Sequence, residues 1–257
     1  MMFDSLLALM SPSALVFALA LTAVAGFVKG ATGFAMPMIM ISGLGSFLPP
    51  DVALAGLIVP TLLTNLWQSF RGGMGEAVGA ARDYRLYIAA LLVVIVLSAQ
   101  LVTILPDSAV FLSLGIAVIA LCALLMRGFT FYVPREKRAP YDIGIGALSG
   151  LIGGISGIWG PLTIAYLTAT DTPKRTQIRV TGVIFASGAI VLFLAHLRSG
   201  VLNGATLPLS AALVLPALLG MGAGQLVQDR LDQARFRRLT LVVLMIAGLN
   251  LVRRGLF

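Results

Sequence analysis

The sequence predicts an all-α integral membrane protein of two inverted-topology repeats, each with about five membrane segments and an interrupted Gly/Pro-containing helix. Three observations carry the prediction. Charged residues are scarce and confined to short stretches, one glycine–proline motif occurs twice, and the Lys/Arg bias of equivalent loops has opposite sign in the two halves.

The chain has 257 residues, 59% apolar and 11% charged, with a mean hydropathy of +1.01. A soluble domain carries roughly 25% charged and 45–50% apolar residues. The ten acidic residues all lie in or beside expected loops, and the runs between them reach the length of about 20 apolar residues that crosses hydrocarbon as helix. The net charge of +8 comes from Lys and Arg clustered between apolar runs, as membrane topology demands. No basic stripe is interleaved with aromatics, so nucleic acid is not an expected partner, whereas the lipid bilayer is. The one cysteine, Cys122, falls in an apolar run and reads as a buried thiol. The N-terminus carries Asp4 instead of a basic region before its apolar stretch, so the first segment is expected to be retained.

The duplicated motif is Gly-x3-Gly-x2-Gly-x3-Pro. It occupies Gly26, Gly30, Gly33 and Pro37, and again Gly150, Gly154, Gly157 and Pro161, offset by 124 residues at every position (26 to 150, 30 to 154, 33 to 157, 37 to 161). The segments that follow run in parallel. After the first motif come Val52–Phe70, Leu86–Leu105 and Val110–Met126; after the second come Val180–Leu197, Thr206–Val227 and Phe236–Val252. Residues 1–126 are therefore expected to form the first membrane repeat and 143–257 the second. A basic linker, 127–142, joins them.

Charge gives the relative orientation. The turn Pro106–Ser108 holds Asp107 and no cation, whereas its counterpart Gln228–Arg238 holds Arg230, Arg235, Arg237 and Arg238. Lys and Arg favour the cytoplasmic side, so the equivalent turns belong on opposite faces. Arg253 and Arg254 run against this assignment, since it puts them outside. Inversion requires an odd number of segments per half. Five results if the motifs separate Ser13–Val28 from Phe34–Phe47 and Ile143–Ser156 from Ile158–Thr168. Sixteen helical residues reach about 24 Å, so these pairs either cross fully or form hairpins that end inside the bilayer.

Paired interruptions at corresponding places in two halves point to a transporter site, because a broken helix offers free N–H groups and a positive dipole end to an anion. Close helix packing through small residues is the other reading of the glycines, and the two are compatible. Lys29 lies inside the first motif, where its counterpart is Gly153. A lysine at depth faces a cavity or a partner unless it snorkels to an interface. Thr61, Thr64, Asn65 and Gln68 share one helical face, which suits either a hydrated path or hydrogen bonds between helices. Thr32, Ser156 and Thr163 are further candidate hydroxyl donors. Trp67 and Trp159 read as packing or path-lining residues, and His196 as interfacial.

The candidate substrate-binding set is thus Lys29, Gly30, Thr32, Gly33, Thr64, Asn65, Gln68, Gly154, Ser156 and Gly157. No carboxylate is expected deep in an apolar run. No metal-ligand cluster, nucleophile–base pair or phosphate loop is visible, so neither a metal, a cofactor nor an enzyme activity is expected. Met36, Met38 and Met40 are spaced by two and read as core.

These duplicated Gly/Pro segments, with the chain length and the basic central linker, resemble the TauE/SafE family of sulfite and organosulfur-anion exporters. The resemblance implies a multi-pass permease of the bacterial inner membrane that moves small anions such as sulfite, sulfoacetate or related carboxylates. It carries the Gly/Pro positions onto the eight motif residues named above and assigns no role to Lys29. A permease for another metabolite or drug, or a non-transporting membrane scaffold, is the alternative. The oligomeric state is open.

Overall fold

The computed structural model describes residues 9–70, 73–128, 132–172, 174–227 and 233–257. Asp4, the end of the Asp171–Pro173 turn and residues 228–232 of the expected Gln228–Arg238 turn lie outside them, while Arg235, Arg237 and Arg238 fall in the last helix, Gln233–Leu256. The described residues are helical, without a strand: α1 (Pro12–Thr32), α2 (Met36–Leu44), α3 (Pro50–Phe70), α4 (Met74–Asp83), α5 (Arg85–Ser98), α6 (Leu101–Ile104), α7 (Asp107–Met126), α8 (Arg138–Ser156), α9 (Gly160–Ala169), α10 (Lys174–Ser199), α11 (Leu207–Ala212), α12 (Val214–Val227) and α13 (Gln233–Leu256). Six stretches among them are long and apolar enough to cross a membrane: Pro12–Thr32, Pro50–Phe70, Arg85–Ile104, Asp107–Leu124, Val180–Ser199 and Leu207–Val227. The chain is an all-helical membrane protein.

Local chemistry sets the helix starts. Ser11 caps α1, its hydroxyl accepting from the Ala14 amide at 3.3 Å, and Pro12 takes the first position, where a missing N–H costs nothing. Pro50 and Asp51 open α3 in the same way, with the carboxylate at the positive end of the dipole. α8 begins at Arg138, five residues before the apolar run that marks it in the sequence. The first turn, Arg138-Ala-Pro-Tyr, looks like linker, yet proline is tolerated in a first turn.

The first helix of each interrupted segment packs on a helix from the other half of the chain. α1 lies along α12, and α8 along α5; α7 pairs with α13 and α3 with α10. Motif glycines make the first two contacts close. A side chain at Gly26 or Gly30 would run into the carbonyls of Ala217 and Met221, and one at Gly150 or Gly154 into those of Leu91 and Ile95. Without a hydrophobic force between helices in lipid, such backbone approach is what lets dispersion hold them. Outward residues such as Val93, Leu97, Ile104, Leu219 and Ile246 are apolar and exposed, as a lipid-facing surface requires.

Arg254 has a structural task. Its guanidinium donates to the carbonyls of Gly45 and Leu48 (3.1 Å to the latter) and lies 4.3 Å from the centre of the Phe111 ring. It thereby satisfies carbonyls just beyond the C-terminal end of α2, which otherwise lack helical partners. A charge that runs against the topology bias is here a helix cap.

Candidate functional site

Both motifs end a helix in the same way. Gly33 takes φ 84° and Gly157 φ 71°, left-handed conformations open to glycine, and each donates its amide at 2.7 Å to the carbonyl four residues back, that of Lys29 or Gly153. The residue before each glycine secures the turn. Thr32 donates to the Val28 carbonyl at 2.8 Å and accepts from the Phe34 amide at 3.4 Å; Ser156 donates to the Ile152 carbonyl at 2.6 Å and accepts from the Ile158 amide at 3.1 Å. Thr32 and Ser156 thus build the turns. Gly30 and Gly154 lie at the helix contacts described above, facing away from the turns' tips.

The two turns meet. Between them lies a cavity lined by Lys29, Phe34, Ala35, Pro37 and Met38 from the first interrupted segment, and by Gly157, Ile158, Trp159 and Gly160 from the second. Asn65 and Phe185, from the crossing of α3 and α10, complete it. Its empty space is about 320 Å³, mouth included, but the centre of a water-sized sphere fits in only about 20 Å³ of it. That is room for about one water.

Lys29 is 2% exposed. Its ammonium donates to Thr64 Oγ1 at 2.8 Å and to Asn65 Oδ1, both neutral acceptors, and no carboxylate pairs with it among the described residues. Asn65 Nδ2 in turn donates to the Phe185 carbonyl at 3.1 Å, which fixes the amide's orientation. Gln68 Nε2 donates to the Gly33 carbonyl at 3.1 Å, tying α3 to the first turn. The Gln68 carbonyl oxygen and the Thr61 hydroxyl are buried without a protein partner. Lys29 thus reaches the cavity wall with two neutral partners and no carboxylate beside it.

Pro60 lies one turn before Thr64 and removes a backbone donor inside α3. Ser210 of α11 repairs the break: its hydroxyl accepts from the Val59 amide at 3.0 Å and lies 3.4 Å from the Gly56 carbonyl.

The structure therefore brings Lys29, Thr64 and Asn65 into one cluster, with Gly33 and Gln68 beside it and Gly157 across the cavity. Other sequence expectations come out differently. Trp159 is 2% exposed and forms a cavity wall, whereas Trp67 is exposed. His196 is buried, not interfacial. Its Nε2 donates at 2.9 Å to the Gly154 carbonyl, and its Nδ1 is 3.1 Å from the Ser199 hydroxyl, so the imidazole braces the end of α8. Asp142, placed in the linker by sequence, is 4% exposed within α8. Met38, Phe34 and Phe185 line the cavity without any sequence signal, since apolar side chains there look like core.

A family model for the sulfite exporter TauE/SafE matches residues 18–251. The fold and the match define a membrane transporter family, and the chain belongs to it: it is a member of the TauE/SafE sulfite exporter family. Neither curated proteins nor solved structures give a match.

Proposed function

We propose that this protein is a permease of the cell inner membrane that exports small anions by alternating access. Sulfite, sulfoacetate and related organosulfur or carboxylate anions are the substrate class, consistent with the family. The observation that carries the reading is Lys29, a buried ammonium without a carboxylate partner, facing a cavity at the meeting of two interrupted segments. An anion is the ligand that neutralises such a charge, and the positive dipole ends of α2 and α9, whose first turns line the cavity through Pro37, Met38 and Gly160, add to it. Export runs down a negative-inside potential, worth about 2.3 kcal/mol per charge per 100 mV.

Two inverted repeats of five segments are the architecture we assign to it. The reciprocal packing supports it, because Gly26 and Gly30 meet Ala217 and Met221 as Gly150 and Gly154 meet Leu91 and Ile95, partners at a common offset of 126 (91 to 217, 95 to 221). The cavity is narrow, and rocking of one interrupted segment against the other would widen it to either side in turn.

Efflux of radiolabelled sulfite and sulfoacetate from proteoliposomes tests the function, with wild type beside Lys29→Ala. Saturable flux in wild type that falls at least tenfold in the variant is expected. No flux of either anion in intact, energised liposomes would remove this substrate class.

A further inference from the structure

Among residues whose burial is described, Lys29 and Asp142 are the only buried members of the Asp, Glu, Lys and Arg set. The first belongs to the anion site. The second has no place in it, and its surroundings suit a different ligand.

Asp142 lies one turn into α8, near the end that the basic linker puts at the cytoplasmic face. The Tyr166 hydroxyl of α9 donates to its Oδ1. Its other oxygen is 3.8 Å from Arg138 Nε, beyond hydrogen-bond reach. Arg138 is drawn elsewhere: its guanidinium sits 4.5 Å from the centre of the Tyr84 ring, and Nη2 is 3.4 Å from the Asp83 carbonyl. The titratable groups that face this carboxylate are therefore Arg138 on its own helix, Tyr166 on α9, and Tyr87 on α5, with Tyr84 behind Arg138. A carboxylate buried with one hydrogen bond and one loose ion pair is poorly compensated, and binding a proton removes the cost.

A path of contacts joins this site to the cavity. Tyr166 stacks on Tyr87, ring centres 5.2 Å apart and planes 14° from parallel. The Tyr87 hydroxyl lies 2.8 Å from Ser149 Oγ and 2.9 Å from Thr163 Oγ1, and Thr163 Oγ1 lies 2.9 Å from the carbonyl of Trp159, the cavity wall. Tyr166 and Thr163 sit on α9, whose first residue, Gly160, also lines the cavity. Six residues separate Gly160 from Tyr166, about 9 Å of helix. The shared fold does not call for this network. At the 124-residue offset the first half has Ala18 for Asp142, Ala25 for Ser149, Ile39 for Thr163 and Ser42 for Tyr166.

We propose that Asp142 is a proton-binding site that couples proton uptake from the cytoplasmic side to the anion cavity through α9. The proposal rests on the permease reading above. With Asp142 ionised, the Tyr166 hydroxyl makes a charge-assisted bond that pins α9 to α8. A proton taken from water onto the carboxylate leaves a neutral acid, whose bond to Tyr166 is roughly half as strong. α9 is then free to shift, and it carries the Trp159–Gly160 wall with it. Release of the proton to water restores the clamp, and no other bond is made or broken.

The test measures protons and anions together in proteoliposomes of the full chain, with a trapped pH-sensitive dye and labelled sulfoacetate. That anion stays fully ionised through the neutral range, so a moving proton is not one carried by the substrate. In wild type, a sulfoacetate gradient is expected to drive proton movement. In Asp142→Asn the number of protons moved per anion should fall at least tenfold, and an anion-induced carboxyl band in the infrared difference spectrum should vanish. Tyr166→Phe, which keeps the acid but loses the clamp, should lower the same ratio and serves in place of Asp142→Asn if that variant does not fold. Anion flux without proton movement in wild type, or an unchanged ratio in the variants, would overturn the coupling and leave the permease standing. Absence of anion flux in every sample would overturn both.

Discussion

The two halves of the molecule share a skeleton and differ in chemistry. Both turns use a left-handed glycine and a preceding hydroxyl residue, and both hairpin helices press motif glycines onto a backbone from the other half. The side chains aimed into the space between them do not match. Where the first half has Lys29 and Ala35, the second has Gly153 and Trp159, whose indole covers Gly153. One half contributes the cation, the other a rigid apolar wall. What the two segments have in common is the means of breaking and packing a helix; what differs is the chemistry at the break.

The largest effect is expected where the skeleton is closest. Gly30→Val drives a branched side chain into the Met221 carbonyl, and Gly154→Val does the same at Ser98 and Ile95. Each should cost about 1–3 kcal/mol or more and lower both the yield of folded protein, read by size exclusion in detergent, and its Tm. Equal damage at the two positions would sharpen the parallel between the halves; tolerance at one would break it. Next is Gly153→Ala, whose added methyl would lie 2.7 Å from the Trp159 indole. The displaced ring should narrow the cavity and reduce anion flux several-fold while the chain still folds, a split that flux and Tm measured together will show.

Ser210→Ala is expected to cost about 1 kcal/mol, the usual loss when a buried backbone donor is left unpaired. The drop in Tm should disappear in a Pro60→Ala background, where the helix supplies its own bonds. The smallest effect concerns the first turn. Ala35 takes φ 73° with a Cβ, a conformation that costs about 1 kcal/mol in residues other than glycine, whereas its counterpart Trp159 is at φ −121°. Ala35→Gly should change Tm only slightly, because relief of strain is offset by the greater freedom of the unfolded chain.

The sequence made the skeleton legible because helix breakers repeat at fixed spacing and cannot be mistaken for lipid-facing surface. It also placed Lys29 beside an interruption and put Thr64, Asn65 and Gln68 on one face. That Lys29 bonds to Thr64 and Asn65 was out of reach, since periodicity fixes a face and not the partner 35 or 36 residues away. Phe185 and Met38 carried no signal, as an apolar residue lining a cavity reads like one in a core. Asp142 was misplaced for a local reason: Arg138, Pro140 and Asp142 together look like loop, and only the arrival of Tyr166 from α9 makes that turn part of the interior.

The central claim, that Lys29 makes the meeting point of the two interrupted segments an anion site, is most directly tested by equilibrium binding. Calorimetric titration of sulfite into detergent-purified wild type and Lys29→Met compares a buried ammonium with an apolar side chain of similar length. Saturable binding in wild type, weakened at least tenfold in a variant that still folds, is the result expected, because methionine keeps the length of the side chain and loses its amino group. Equal affinity in the two proteins would contradict the account and put the anion somewhere else.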